Sequence, residues 1–128
     1  MTTITEDYCD FEIAKLLKKK GFDIPCNCYG AYNGVNLTYR LCITDKYTNW
    51  NKHTDKFIIS CPTLQMAMKW LREVYNFHIW VEPSHDKEGL YNAHVKVDWW
   101  SNNWAGVGYN TYEKAVEAAI EYCLKILI

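Results

Sequence analysis

With 128 residues the chain has the length of one domain, and a composition that is 49% hydrophobic and 16% aromatic lets it bury a substantial core. Fourteen basic against fifteen acidic residues leave a formal charge of -1, which supplies no general field for phosphate backbones or anionic membranes. The start, MTTITEDYCD, has neither the basic region nor the apolar run of a signal peptide, and no stretch approaches the ~20 apolar residues of a membrane span, so the expected location is cytoplasmic. The six cysteines (9, 26, 28, 42, 61 and 123) are then expected as reduced thiols rather than a disulfide frame.

Asp10 is placed to cap a first helix running to Lys20, with Glu12 in its first turn and Lys18, Lys19 and Lys20 in its last, matching the helix dipole. Gly21 ends it. Ile13, Ala14, Leu16 and Leu17 form the inward face, and Phe22 stands where an apolar residue folds back after a glycine stop.

Asn33-Gly34 is the strongest turn signal, because both central residues of a type I′ turn need positive φ. A two-residue turn there pairs Tyr32 with Val35, Gly30 with Leu37, Cys28 with Tyr39, Cys26 with Leu41 and Ile24 with Ile43, an almost wholly apolar face. The other face, with Asn27, Tyr29, Thr38 and Arg40, reads as solvated. Residues 45–56 are polar and aperiodic apart from Tyr47 and Trp50, which predicts a long loop; Phe57, Ile58 and Ile59 predict a short strand.

The chain is organised around CPTLQMAMKWLREVYNFHIWV, residues 61–81. Pro62 suits a first helical turn, and Leu64, Ala67, Met68, Leu71, Val74 and Tyr75 recur at helical steps on one face. Asn76 is a natural left-handed stop. Beyond it Phe77, Ile79 and Val81 alternate with His78, Trp80 and Glu82, so the period drops from 3.6 to 2 and a half-buried strand begins. After the connector EPSHDKEG a second hairpin strand alternates Tyr91, Ala93, Val95, Val97 and Trp99 with Asn92, His94, Lys96, Asp98 and Trp100. SNNWAGVGYN reads as a loop, and a last helix is capped by Asn110 in a capping box with Glu113, or by Thr111. Its apolar residues, Ala115, Val116, Ala119, Ile120, Cys123, Leu124, Ile126 and Leu127, span roughly half the circumference, wider than an ordinary ~100° stripe.

The predicted fold is a single α+β domain over residues 1–128: two consecutive helix-plus-β-hairpin units and a C-terminal helix. The sheet is mainly antiparallel, of about four strands, with the helices packed on one face. The blocks FEIAKLLKKKGFDIP, CPTLQMAMKWLREVYNFHIWV and NTYEKAVEAAIEYCLKIL resemble a group of small uncharacterised proteins encoded by phages and mobile elements of gut bacteria. The resemblance implies a genomic setting and a shared fold, and it brings no assigned activity and no catalytic residue.

The residues offer three kinds of chemistry. Cys26-x-Cys28 with Cys42 and His53 has zinc-ligand types but not the Cys-x-x-Cys spacing of structural sites, and a cysteine on an apolar strand face behaves as a small hydrophobe, so no metal or cofactor is expected. Cys61 at a helix start, where a thiol pKa is lowered, is the nucleophile a small enzyme would use with His78, His85 or His94, a third reading because nothing in the sequence brings them together; Glu82 and Asp98 are the carboxylate pair the second hairpin could align. The aromatic excess is more informative. Trp80, His94, Trp99, Trp100, Trp104 and Tyr109 are expected to form a surface patch, with Met66 and Trp70 as a second patch roughly 100–140° from the main face of the central helix. Tryptophans among polar groups suit binding to a protein partner or self-association. Stacking on single-stranded nucleic acid is the alternative, which the charge balance does not favour, and no membrane partner is expected.

Overall fold

The computed structural model describes residues 4–32, 39–98 and 103–128. The chain is α+β and divides into two compact units, Met1–Thr63 and Leu64–Ile128. Among the described residues six strands form two antiparallel three-stranded sheets rather than one sheet of about four.

The first unit begins with α1 (Phe11–Lys19), capped by Asp10, whose side chain accepts from the Ile13 N–H at 2.9 Å. The helix closes as its glycine predicts. Gly21 lies at φ 91°, its N–H donates to the Lys18 carbonyl, and the Phe22 N–H reaches back to the Leu17 carbonyl at 2.9 Å. Phe22 is consequently buried. Strands β1 (Cys26–Tyr32), β2 (Tyr39–Thr48) and β3 (Ile58–Ser60) follow, in the order β2-β1-β3.

The first hairpin forms with a different register. Cys28 pairs with Ile43, Gly30 with Leu41 and Tyr32 with Tyr39, four residues along from the expected pairing, so the connection spans 33–38 and the predicted Asn33-Gly34 turn lies outside the described residues. The displacement is even, and each side chain keeps its face. What outweighs a two-residue turn is aromatic packing. Tyr32 and Tyr39 both lie against Phe11, with ring centroids 5.0 and 4.8 Å away, and the Tyr39 ring covers Gly30, where a side chain would collide with it. Gly30→Ala is therefore expected to lower the melting temperature by several degrees, through a loss of about 1–3 kcal/mol that thermal unfolding will register.

The expected core face of this hairpin is only half covered. Cys26 and Cys28 are buried, but Ile24, Leu41 and Ile43 are exposed, because α1 packs towards β3. The predicted long loop is also shorter. β2 continues through Asp45 to Thr48, and a single 3-10 turn, Trp50–Lys52, returns the chain to β3. Asn51 fastens this turn: its Nδ2 donates to the Phe22 carbonyl, its Oδ1 accepts from the Ser60 N–H, and its own N–H donates to Ser60 Oγ, at 2.9, 2.9 and 3.1 Å. Trp50 Nε1 donates to the Cys26 carbonyl at 3.0 Å while its ring packs on Tyr29.

The second unit begins with α2 (Leu64–Tyr75), which buries Leu64, Ala67, Trp70 and Leu71. Val74, expected on the inward face, is 56% exposed; Trp70, placed from the helical wheel on a second stripe, is 6% exposed and packs edge-on against Tyr75. Asn76 adopts φ 60° and its N–H closes onto the Arg72 carbonyl, so the predicted left-handed stop is present. Then come β4 (His78–Pro83), β5 (Tyr91–Lys96) and β6 (Trp104–Tyr109), in that order, and α3 (Tyr112–Tyr122), which ends in a π-helical turn over Cys123–Leu127. Thr111, not Asn110, caps α3, accepting from the Lys114 N–H at 3.0 Å. β6 falls in the stretch expected to be a loop.

Candidate functional site

Helix α3 packs on all three strands of the β4-β5-β6 sheet. The face towards it carries Ala93 and Val95, both fully buried, and Trp104, which pairs with Val95 and stacks on Tyr122 at 4.8 Å. Alternation along the strands sends the remaining side chains to the opposite face. There the register sets His78 across from Lys96, Trp80 across from His94 and Glu82 across from Asn92, with Ala105 of β6 beside His94.

The centre of that face is a Trp80–His94 pair, with ring centroids 4.9 Å apart and planes 13° from parallel. His94 Nε2 donates to Glu82 Oε1 at 2.8 Å, which fixes the imidazole against the indole and holds the carboxylate one step along the strand. Trp80 remains 43% exposed. A large indole already stacked on a hydrogen-bonded neighbour, on the strand face opposite α3, loses little entropy on meeting a partner. One residue pair further along, His78 Nε2 lies 3.0 Å from Asn76 Oδ1. A cleft of about 340 Å3 opens there, lined by Asn76, His78, Lys96, Val97 and Asp98. It is at the small end of the range for ligand clefts.

The predicted patch is thus divided. Trp80 and His94 come together on the uncovered face. Trp104 lies on the opposite, helix-facing side; so does Tyr109, which pairs with Tyr91 and whose hydroxyl, like the Trp104 ring, lies over Gly106. Trp99 and Trp100 lie outside the described residues. Of the second patch, Trp70 belongs to the buried set and Met66 is half-buried. The face also holds a feature that residue type alone did not reveal, the Glu82–His94 bond. Its signal was spacing, since Glu82 and His94 fall two positions from each other across the hairpin once the register is known.

The thiols read differently. Cys61 precedes α2 by three residues and extends the β3 ladder, its N–H donating to the Cys28 carbonyl at 3.0 Å. Its thiol meets the Tyr39 hydroxyl rather than a histidine. Burial pushes it up from an ordinary 9.0 to about 12, against the lowering expected at a helix start. Such a thiol is held protonated at neutral pH. Glu82 and Asp98, the proposed carboxylate pair, lie towards opposite ends of the β4-β5 ladder. Among the described residues no three His, Cys, Asp or Glu side chains are grouped to hold a metal ion, and no helix is long and apolar enough to cross a membrane. No protein-family model, curated protein or solved structure matches the chain.

Proposed function

We propose that the chain is a small non-enzymatic binding protein, of the kind encoded by phages and mobile elements, that engages a protein partner through the uncovered face of β4-β5-β6. One observation carries the reading: Trp80 stacks on His94 in a bonded array yet keeps 43% of its surface in solvent, while the other face of the same sheet packs on α3. Exposed, held aromatics of this sort are the residues on which binding energy concentrates. The three helical blocks that resemble phage and mobile-element proteins supply the setting.

Immobilised protein should retain a partner from a bacterial extract, and Trp80→Ala should weaken that retention at least tenfold, the effect of a hot spot of about 2 kcal/mol. Because the indole is half in solvent, the melting temperature of the variant should move by only a few degrees. Undiminished retention by Trp80→Ala would contradict the reading.

Single-stranded nucleic acid is the second reading. Its supporting observation is that Lys96 and His78 face each other on the same strand face, one step from the Trp80–His94 stack, so a base could stack on the indole while a phosphate meets the Lys96 ammonium. Retention of a single-stranded oligonucleotide that weakens steeply with salt would favour it. No retention at low salt removes it.

A further inference from the structure

We infer that two copies of the chain associate antiparallel through the outer edge of β2, about a two-fold axis, with Leu41 of each opposite Ile43 of the other and the two Cys42 side chains at the centre. This concerns the first unit and is independent of the face carrying Trp80.

The backbone supplies the first reason. In the order β2-β1-β3, the outer edge of β2 pairs with no strand among the described residues. The Cys61 N–H donates to Cys28 and the Tyr32 N–H to Phe57, so the even-numbered residues of β1 turn their amides towards β3. Alternation then aims Tyr29 and Ala31 at β2, and their partners Cys42 and Arg40 back at β1. Leu41 and Ile43 are left with N–H and C=O pointing outwards. Unpaired edge amides of this kind are a template for another strand.

The side chains supply the second. Leu41 is 44% and Ile43 64% exposed, on the face that α1 covers only towards β3. Pro is absent from Tyr39–Thr48, and the stretch Leu41–Thr44 carries no charge to guard the edge.

Symmetry and charge select the register. Residues paired across a two-fold axis normal to the sheet must share a face, so the seam centres on a residue. Centred on Ile43, it sets Arg40 against Lys46 and Leu41 against Asp45. Centred on Thr44, it sets Ile43 against Asp45 and Cys42 against Lys46. A centre at Leu41 sets Arg40 against Cys42 and Ile43 against Tyr39, so that no Leu41–Ile43 pair forms. Centred on Cys42, both Leu41–Ile43 pairs form, Arg40 meets Thr44, and Tyr39 and Asp45 meet only at the two ends of the seam, with no like charges opposed. This register also uses the straight part of the strand. Beyond Ile43 the pairing with β1 shifts before Thr48, and the Thr44 hydroxyl donates to its own strand at the Lys46 carbonyl, 2.9 Å away.

Cys42 makes the seam testable, because the other five cysteines are buried. At the centre it occupies a non-hydrogen-bonded pair, where Cα atoms approach to about 4.5 Å, within disulfide reach. Light scattering of the reduced full chain at ~100 μM should give twice the chain mass, within the range of a weak edge-to-edge dimer. Ile43→Lys, and separately Leu41→Lys, should give the single-chain mass with unchanged circular dichroism, since both side chains stand in solvent. Oxidation of dilute wild-type protein with copper phenanthroline should yield a reducible dimer that Cys42→Ser abolishes. A single-chain mass for the wild type, a dimer insensitive to both lysine substitutions, or a disulfide dimer that persists in Cys42→Ser would each overturn the inference.

Discussion

Raising the pH from 9 to 11 should remove roughly 5 kcal/mol of folding stability from the first unit, a large part of the 5–15 kcal/mol typical of a native domain. The cause is thiol burial. Desolvation, helped by the neighbouring Cys26 and Cys42, pushes Cys28 from 9.0 up to about 11, and desolvation pushes Cys61 up to about 12. The Tyr39 hydroxyl is raised as well, first by burial and then by its bond to Cys61. The sign follows from proton counts: above pH 9 the unfolded chain releases thiol protons that the folded chain retains, so each pH unit favours the unfolded state by about 1.4 kcal/mol per thiol. Below pH 9 both states hold the proton and stability is level. Cys123 in the second unit, pushed to about 12 by burial, gives that unit a shallower version of the same fall. Urea midpoints by circular dichroism, taken under reductant from pH 7 to 11, check this; a midpoint that stays level to pH 11 contradicts it.

The second large effect belongs to Asn51. Its side chain supplies an acceptor to the Ser60 N–H, in a fully buried residue, and a donor to the Phe22 carbonyl. Asn51→Ala removes both bonds and leaves the buried Ser60 N–H without its acceptor, at about 1–3 kcal/mol, with the loss of the Phe22 bond added to it. We expect a loss of about 3 kcal/mol in chemical denaturation and a drop of roughly ten degrees or more in melting temperature. Asn92→Ala is the control. Its Oδ1 accepts from the Gly108 N–H at 3.2 Å in an exposed setting, so water replaces it and the loss stays below about 1 kcal/mol. Equal losses in the two variants would mean that Asn51 does not fasten the turn.

How much of this was readable in advance depended on whether a local rule was opposed. The α1 cap and its Gly21-Phe22 closure, and the α2-Asn76-β4 joint, follow from periodicity and one left-handed residue each, and nothing in the fold competes with them. β6 was hidden because WAGVGY has two glycines and no strong alternation; it pairs because β5 offers an edge and Gly106 makes room for the Trp104 and Tyr109 rings. The Asp45–Thr48 end of β2 was hidden because all four of its side chains are exposed, so no burial wrote a period into it. The first hairpin kept its faces but not its register, since packing of Tyr32 and Tyr39 on Phe11 is a non-local fact. The site divided for a similar reason: Trp80 and Trp104 are both strand tryptophans, and only the register shows that one faces solvent and the other Tyr122.

Footprinting with a photogenerated carbene, on the protein alone and with the partner it retains, tests the binding face most directly. Protection centred on Trp80, His94 and the Asn76–His78 cleft rim, with Val74 and the helix side unchanged, is the predicted result. Protection that avoids Trp80 and falls elsewhere on the chain would contradict the assignment of the β4-β5-β6 face.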